Sequence, residues 1–197
     1  MRRNLLFVVI TVVLVLGAAV LIGLLVKQAT TEPRVRLNGN VVPLVKIAHV
    51  LGSTDPNKQL QLSISLKLRN EAELDMTLTA ISDPSSPDYQ HYITAEQFKQ
   101  QYAPMDAQVK QVVAFLQSQG FTIKSIAANN TIINATGTVA QAEQAFSVQI
   151  NNYQFKSLSF YANSDEPSVP ASLSAIILSI GGLDNAAKGH PEAAETV

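Results

Sequence analysis

Apolar and polar residues alternate with period two through residues 60–68. Leu60, Leu62, Ile64, Leu66 and Leu68 interleave with Gln61, Ser63, Ser65 and Lys67. That pattern predicts a strand with one apolar face, which needs a covering layer. The period then changes. Asn70 stands as an N-cap, and Leu74, Leu78 and Ile81 fall on one helical stripe. Glu71, Glu73 and Asp75 lie in or near the first turn, where the helix dipole favours carboxylates. Asp83-Pro84-Ser85-Ser86-Pro87-Asp88-Tyr89 breaks this helix into a loop. Thr94-Ala95-Glu96-Gln97 is a capping box that opens a short helix through Phe98 to Tyr102, which Pro104 stops. Asp106 starts another helix with Val109, Val112, Val113 and Leu116 on its apolar face. Gly120 is placed as the left-handed residue after its end.

Two strands follow, residues 121–127 and 131–137, joined as a hairpin at Ala128-Asn129-Asn130. Thr138-Val139-Ala140-Gln141 is a second capping box, before a helix running to Phe146. The next strand starts at Val148. Its apolar phase shifts at Asn151-Asn152, from Val148 and Ile150 to Tyr153 and Phe155, as a bulge or turn produces. Without the extra short helix the order is βαββαβ, which predicts an α+β, ferredoxin-like fold. Helices would cover one face of an antiparallel sheet, leaving the other face free to meet a partner.

The start of the chain follows neither pattern. From Leu5 to Val26 there is no charge, and Thr11 is the only hydroxyl. A helix of this length spans about 33 Å, enough for a bilayer core, so one transmembrane helix is expected ahead of the folded part. The alternative is a signal peptide cleaved near Gly17-Ala18-Ala19, leaving a secreted domain. The continuing apolar run, Val20 to Val26, favours the uncleaved anchor. Arg2 and Arg3 favour an inside N-terminus, but Lys27, Arg34, Arg36 and Lys46 follow the run, so charge alone leaves the orientation open. The expected division is residues 1–4 as a flank, 5–26 as membrane span, 27–46 as linker, 47–185 as folded domain and 186–197 as tail. Within the linker, Val41-Val42-Pro43-Leu44-Val45 reads as a short entry strand.

Composition narrows the chemistry. The net charge of −1 gives no electrostatic case for nucleic acid. Cysteine is absent and there are three histidines, His49, His91 and His190, far apart in sequence. No thiolate site, no metal site and no cofactor is expected. There is no Gly-x-Ser-x-Gly elbow, no His-Glu-x-x-His and no phosphate loop. Gly52-Ser53 beside His49 reads as a turn before the first strand. Glu71, Glu73 and Asp75 read as a solvated helix start, and His91 as a buried loop anchor. Asn129-Asn130-Thr131 and Asn134-Ala135-Thr136 match the glycosylation triplet, which is common by chance.

Three stretches together resemble the activation pro-domain of the sedolisin/kumamolisin peptidases. One is Asp83 to Thr94, with Tyr89, His91 and Tyr92, leading into Glu96-Gln97-Phe98 and Tyr102-Ala103-Pro104. Another is Gln119-Gly120-Phe121. The third is Phe160-Tyr161-Ala162-Asn163-Ser164-Asp165-Glu166-Pro167-Ser168-Val169-Pro170, followed by Gly181-Gly182-Leu183-Asp184-Asn185. The resemblance covers roughly residues 47–185. It implies a ferredoxin-like fold that assists folding of a following peptidase domain and blocks its active site until cleaved, typically in acid. The Glu/Asp/Ser set and the calcium site of such peptidases lie beyond the Gly-Leu-Asp-Asn stretch, so no catalytic residue carries over. Because family members are exported, the resemblance also implies a cytoplasmic N-terminus with the domain outside. The expected protein is a membrane-tethered, non-catalytic pro-domain partnered by a sedolisin-type catalytic domain. A truncated or split precursor without activity, or an adaptor reusing the fold, are the alternatives.

Overall fold

The computed structural model describes residues 32–186. The expected span from Leu5 to Val26 lies outside them, and among the described residues no helix is long and apolar enough to cross a membrane. The chain divides into a unit Met1–Pro33 and a unit Arg34–Val197. The elements that follow all belong to the second. Strand β1 (Arg34–Arg36) precedes a 3-10 turn (Pro43–Lys46), β2 (His49–Ser53) and β3 (Gln59–Leu66). Next come α1 (Glu71–Ser82), α2 (Ala95–Gln101), α3 (Asp106–Ser118), β4 (Thr122–Ile126), β5 (Ile132–Thr138) and α4 (Val139–Phe146). The chain ends in β6 (Ile150–Phe155), β7 (Leu158–Asn163), β8 (Ser168–Pro170), α5 (Ala171–Ser174) and β9 (Ile177–Gly181).

The period-two strand is the organising element. β3 lies inside an antiparallel sheet of order β4-β5-β3-β9. Leu60, Leu62, Ile64 and Leu66 all point to one face, where Val109, Val112 and Leu116 of α3 and Val139, Ala142 and Phe146 of α4 cover them. Each such aliphatic side chain contributes roughly 1.5–3 kcal/mol by burial. Both predicted capping boxes form. Thr94 accepts from the Gln97 N–H while Gln97 Oε1 accepts from the Thr94 N–H, and Thr138 and Gln141 do the same. Gly120 has φ +85°, and Gln141 Nε2 reaches its carbonyl at 3.0 Å, joining the end of α3 to the start of α4.

The strand after α4 does not complete this sheet. β6 pairs with β2 and β7 in a separate three-stranded sheet, and the edge beside β3 is filled by β9. The phase shift at Asn151-Asn152 is no bulge in β6, whose register with β7 runs unbroken from Ile150 to Phe155. Instead the strand separates two cores. Ile150 joins the main core, while Tyr153 belongs to a second cluster with Phe160 and Ala162. Alternate faces are therefore buried in turn, which reads in sequence as a change of phase. The irregularity sits on the facing strand, between Val50 and Gly52.

Other local expectations are corrected. Val41 to Val45 forms no strand: Pro43 fixes φ and lacks an N–H, and the chain turns into a 3-10 segment. Gly52-Ser53 is part of β2 rather than a turn. Asn70 occupies the N-cap position of α1 in a left-handed conformation, but its Nδ2 donates to the Gln101 carbonyl at 3.1 Å instead of capping. Leu78 is exposed. The inward stripe of α1 runs Leu74–Thr77–Ile81, with Leu74 and Ile81 buried and Thr77 half-buried, its Oγ1 3.3 Å from the Tyr102 hydroxyl.

Candidate docking face

The face of the four-stranded sheet opposite the helices is built by the polar half of the alternation. Register places Gln61 beside Thr136, Ser63 beside Asn134 and Gly181, and Ser65 beside Ile132 and Ser179. Thr122 and Ser125 of β4 extend the rows from Thr136 and Asn134. None of these side chains carries a charge. Lys124 falls in the register shift between Ile123 and Ser125. Three strands are tied by side chains. Ser63 Oγ donates to Asn134 Oδ1 at 2.7 Å, and Asn134 Nδ2 donates to Ser125 Oγ at 3.0 Å. Short, neutral, mutually bonded side chains lose little rotamer freedom on contact and bury no charge. Such a face can dock a protein surface closely, and its groups supply no proton chemistry near neutral pH.

The Phe160–Asn185 motif residues converge at one corner. Phe160 is buried and stacked on Tyr153, with ring centroids 5.3 Å apart. Tyr161 points to the other face of β7. Lys58 Nζ lies 4.8 Å from its ring centroid. Burial, and then the Asp184 carboxylate, push the Tyr161 hydroxyl above its ordinary pKa. The Tyr161 N–H donates to Asn185 Oδ1 at 2.7 Å, and the Asn185 N–H donates back to the Tyr161 carbonyl at 3.1 Å. Asp184 Oδ1 accepts from the Ala186 N–H at 3.0 Å. These bonds fix where the chain leaves β9. Leu51, Lys58, Asn152 and Tyr161 line a groove of about 350 Å³ there.

Asn163 is fully buried. Its Nδ2 donates to the carbonyls of Asn40 and Asp165 at 3.0 and 2.8 Å, and its Oδ1 has no partner among the described residues. The Pro167 carbonyl accepts from the Leu37 N–H at 2.7 Å, and Pro170 pairs with Arg34 across β8 and β1. Asn163, Pro167 and Pro170 therefore act in the scaffold and not on the open face.

The other motif residues lie elsewhere. Tyr89 and Tyr92 are exposed. His91 is exposed too, contrary to the expected buried anchor. It borders a cavity of about 390 Å³ with Glu73, Met76, Ile81 and Asp88. The loop satisfies its backbone through local turns, Ser86 to Asp83, Tyr89 to Ser86 and His91 to Asp88, so no side chain has to reach the core. Phe98 is half-buried against Tyr102. Glu71, Glu73 and Asp75 are solvated, and no cluster able to hold a metal occurs among the described residues. Sequence reasoning missed Ser179 and Gly181 as face residues, because β9 was not recognised as a partner of β3. The interrupted apolar run Ile177-Leu178-Ser179-Ile180 was the available signal.

The profile of the family described as "Pro-kumamolisin, activation domain" matches residues 47–186. Sedolisin of Pseudomonas sp. (strain 101) is 35% identical over 128 residues, 65% of this chain and 22% of its own length. Xanthomonalisin of Xanthomonas sp. (strain T-22) is 32% identical over 161 residues, 82% of this chain and 19% of its own. Tripeptidyl-peptidase 1 of Dictyostelium discoideum is 24% identical over 153 residues, 77% of this chain and 25% of its own. The chain thus spans about a quarter or less of the length of these relatives.

Proposed function

The chain belongs to the pro-kumamolisin activation-domain family, and from that premise we propose that it is a non-catalytic pro-domain. It assists the folding of a sedolisin-type serine peptidase domain, inhibits that domain, or does both. The four-stranded sheet with α3 and α4 is read as a ferredoxin-like unit whose open face is the docking surface. The observation that carries this reading is that face: four strands wide, neutral at its paired positions from Gln61 to Ser65, and pre-bonded through Ser63, Asn134 and Ser125, with Lys124 in the bulge at its edge. A partner surface can cover these central positions without stranding a charge, the condition for a tight interface core. The proposal also holds the domain at a membrane through the run from Leu5 to Val26, with the N-terminus cytoplasmic and the domain outside. The length of that run and its lack of charge support this part.

The test is a titration of residues 32–197 into an active sedolisin-type peptidase from the same source, at acidic and neutral pH. The expected result is inhibition that fades as the domain is cleaved in acid. Ser63→Glu puts an unpaired carboxylate at the centre of the face and is expected to weaken inhibition about 100-fold or more without unfolding the domain. No inhibition at either pH by a folded domain, or full potency of Ser63→Glu, sinks the reading.

A further inference from the structure

Charge is segregated along the chain despite the near-zero total. Residues 70–98 carry Glu71, Glu73, Asp75, Asp83, Asp88 and Glu96 and no Lys or Arg. Residues 33–54 and 144–164 show the reverse, with Arg34, Arg36, Lys46 and Lys156 and no Asp or Glu. These two acid-free stretches build the three-stranded sheet and the turn that packs against it.

One face of that sheet is only partly covered. Register sets Val50 beside Tyr153, Tyr153 beside Phe160, and Phe155 beside Leu158, all on the face of the second apolar cluster. Val42, Leu44, Val45, Ala48 and Ala186, themselves half-buried, cover its centre at Tyr153 and Phe160 and leave its margin open. Ile47 is 66% exposed, Val50 52% and Leu158 39%. Lysines border it. Lys46 ends the covering turn, and Lys156 Nζ lies 5.4 Å from the Phe155 ring centroid. Asp184 follows β9 and raises the Tyr161 hydroxyl pKa, on the opposite face of the sheet.

We propose that this face lies on an anionic bilayer surface, with Ile47, Val50 and Leu158 in the headgroup region and Lys46 and Lys156 on lipid phosphates. An apolar patch bordered by lysines suits such an interface, because the lysine stems extend the apolar area while their ammonium groups meet the phosphates. The choice of a bilayer as occupant rests on the tether reading above, and the contact of the face itself is measured separately.

The chain has no cysteine, so single cysteines report without background. The full chain carrying Leu14→Cys, Ile47→Cys, Leu158→Cys or Met76→Cys is labelled with one fluorophore. Each is mixed with phosphatidylcholine vesicles, with or without phosphatidylglycerol, containing nitroxide lipids. The expected result is quenching at 14, 47 and 158 in anionic vesicles, with the label on α1 at 76 unquenched. Lys46→Glu with Lys156→Glu is expected to cut quenching at 47 and 158 about threefold or more. If 14 is quenched while 47 and 158 behave like 76, the tether stands and the face proposal is overturned. If 47 and 158 are quenched without 14, the face proposal stands and the tether falls. Shielding of 47 and 158 by an added sedolisin-type peptidase, with no response to vesicles, overturns the proposal in favour of a protein partner.

Discussion

Two glycines separate backbone freedom from steric need. Gly39 has φ +82° and open space where a methyl group would project, whereas Gly182 has φ +92° and a Cβ there collides with the Gln61 carbonyl. Gly39→Ala is expected to cost about 1 kcal/mol and Gly182→Ala about 3–5 kcal/mol, read as shifts of the urea midpoint. Equal shifts would show that the turn after β9 yields more easily than its packing implies. Residues whose partners are local were legible in the sequence. Thr94 and Gln97 bond each other three positions apart, and Gly120 follows a helix end. Asn40 was not legible. Its Oδ1 accepts from the Ile180 N–H and its carbonyl from Asn163, partners that only the finished fold brings near.

At the level of elements, α1 and α2 form the weakest attachment. Their buried residues Leu74 and Ile81, with Tyr102 and Ala103 just beyond, belong to neither apolar cluster. The ties to the sheet are polar. Arg69 donates to the Ala103 and Gln100 carbonyls, and Asn130 Nδ2 donates to the Pro104 carbonyl and to Asp106. Few buried apolar contacts mean a low local opening energy. Amides of α1 are therefore expected to exchange on the order of a hundred times faster than those of β3 and β5 in native-state hydrogen exchange. Equal protection would mean that the segment opens only with the whole domain. The periods of strand and helix were legible because each element writes its own burial into its sequence. The partner of β6 was not, since a strand buried on both faces looks the same in either sheet.

For the whole domain, the boundary matters. The family match begins at residue 47, yet β1 pairs with β8, and Leu37 is in the main core. A fragment starting at 47 loses Leu37 and leaves the Ile180 N–H without Asn40 Oδ1. Its stability is expected to fall by about 4 kcal/mol or more relative to residues 32–197, measured by urea unfolding. Unchanged stability would make β1 an ornament of the fold. The open face could be foreseen from the alternation in β3 alone. Its full width could not, because the fourth strand comes after two further strand pairs and carries no sign of its neighbour.

The closing of the sheet by β9 also sets an order in time. β3 spans Gln59–Leu66 and acquires its last neighbour from Ile177–Gly181, so this side of the strand stays unpaired until nearly the whole domain has been synthesised. Pairings this distant in sequence form slowly, in milliseconds to seconds rather than microseconds. During that interval the apolar strand is an open template for other chains. A surface that engages the nascent sheet from its polar side would shorten the exposure, so the order of synthesis itself rewards a partner that arrives early.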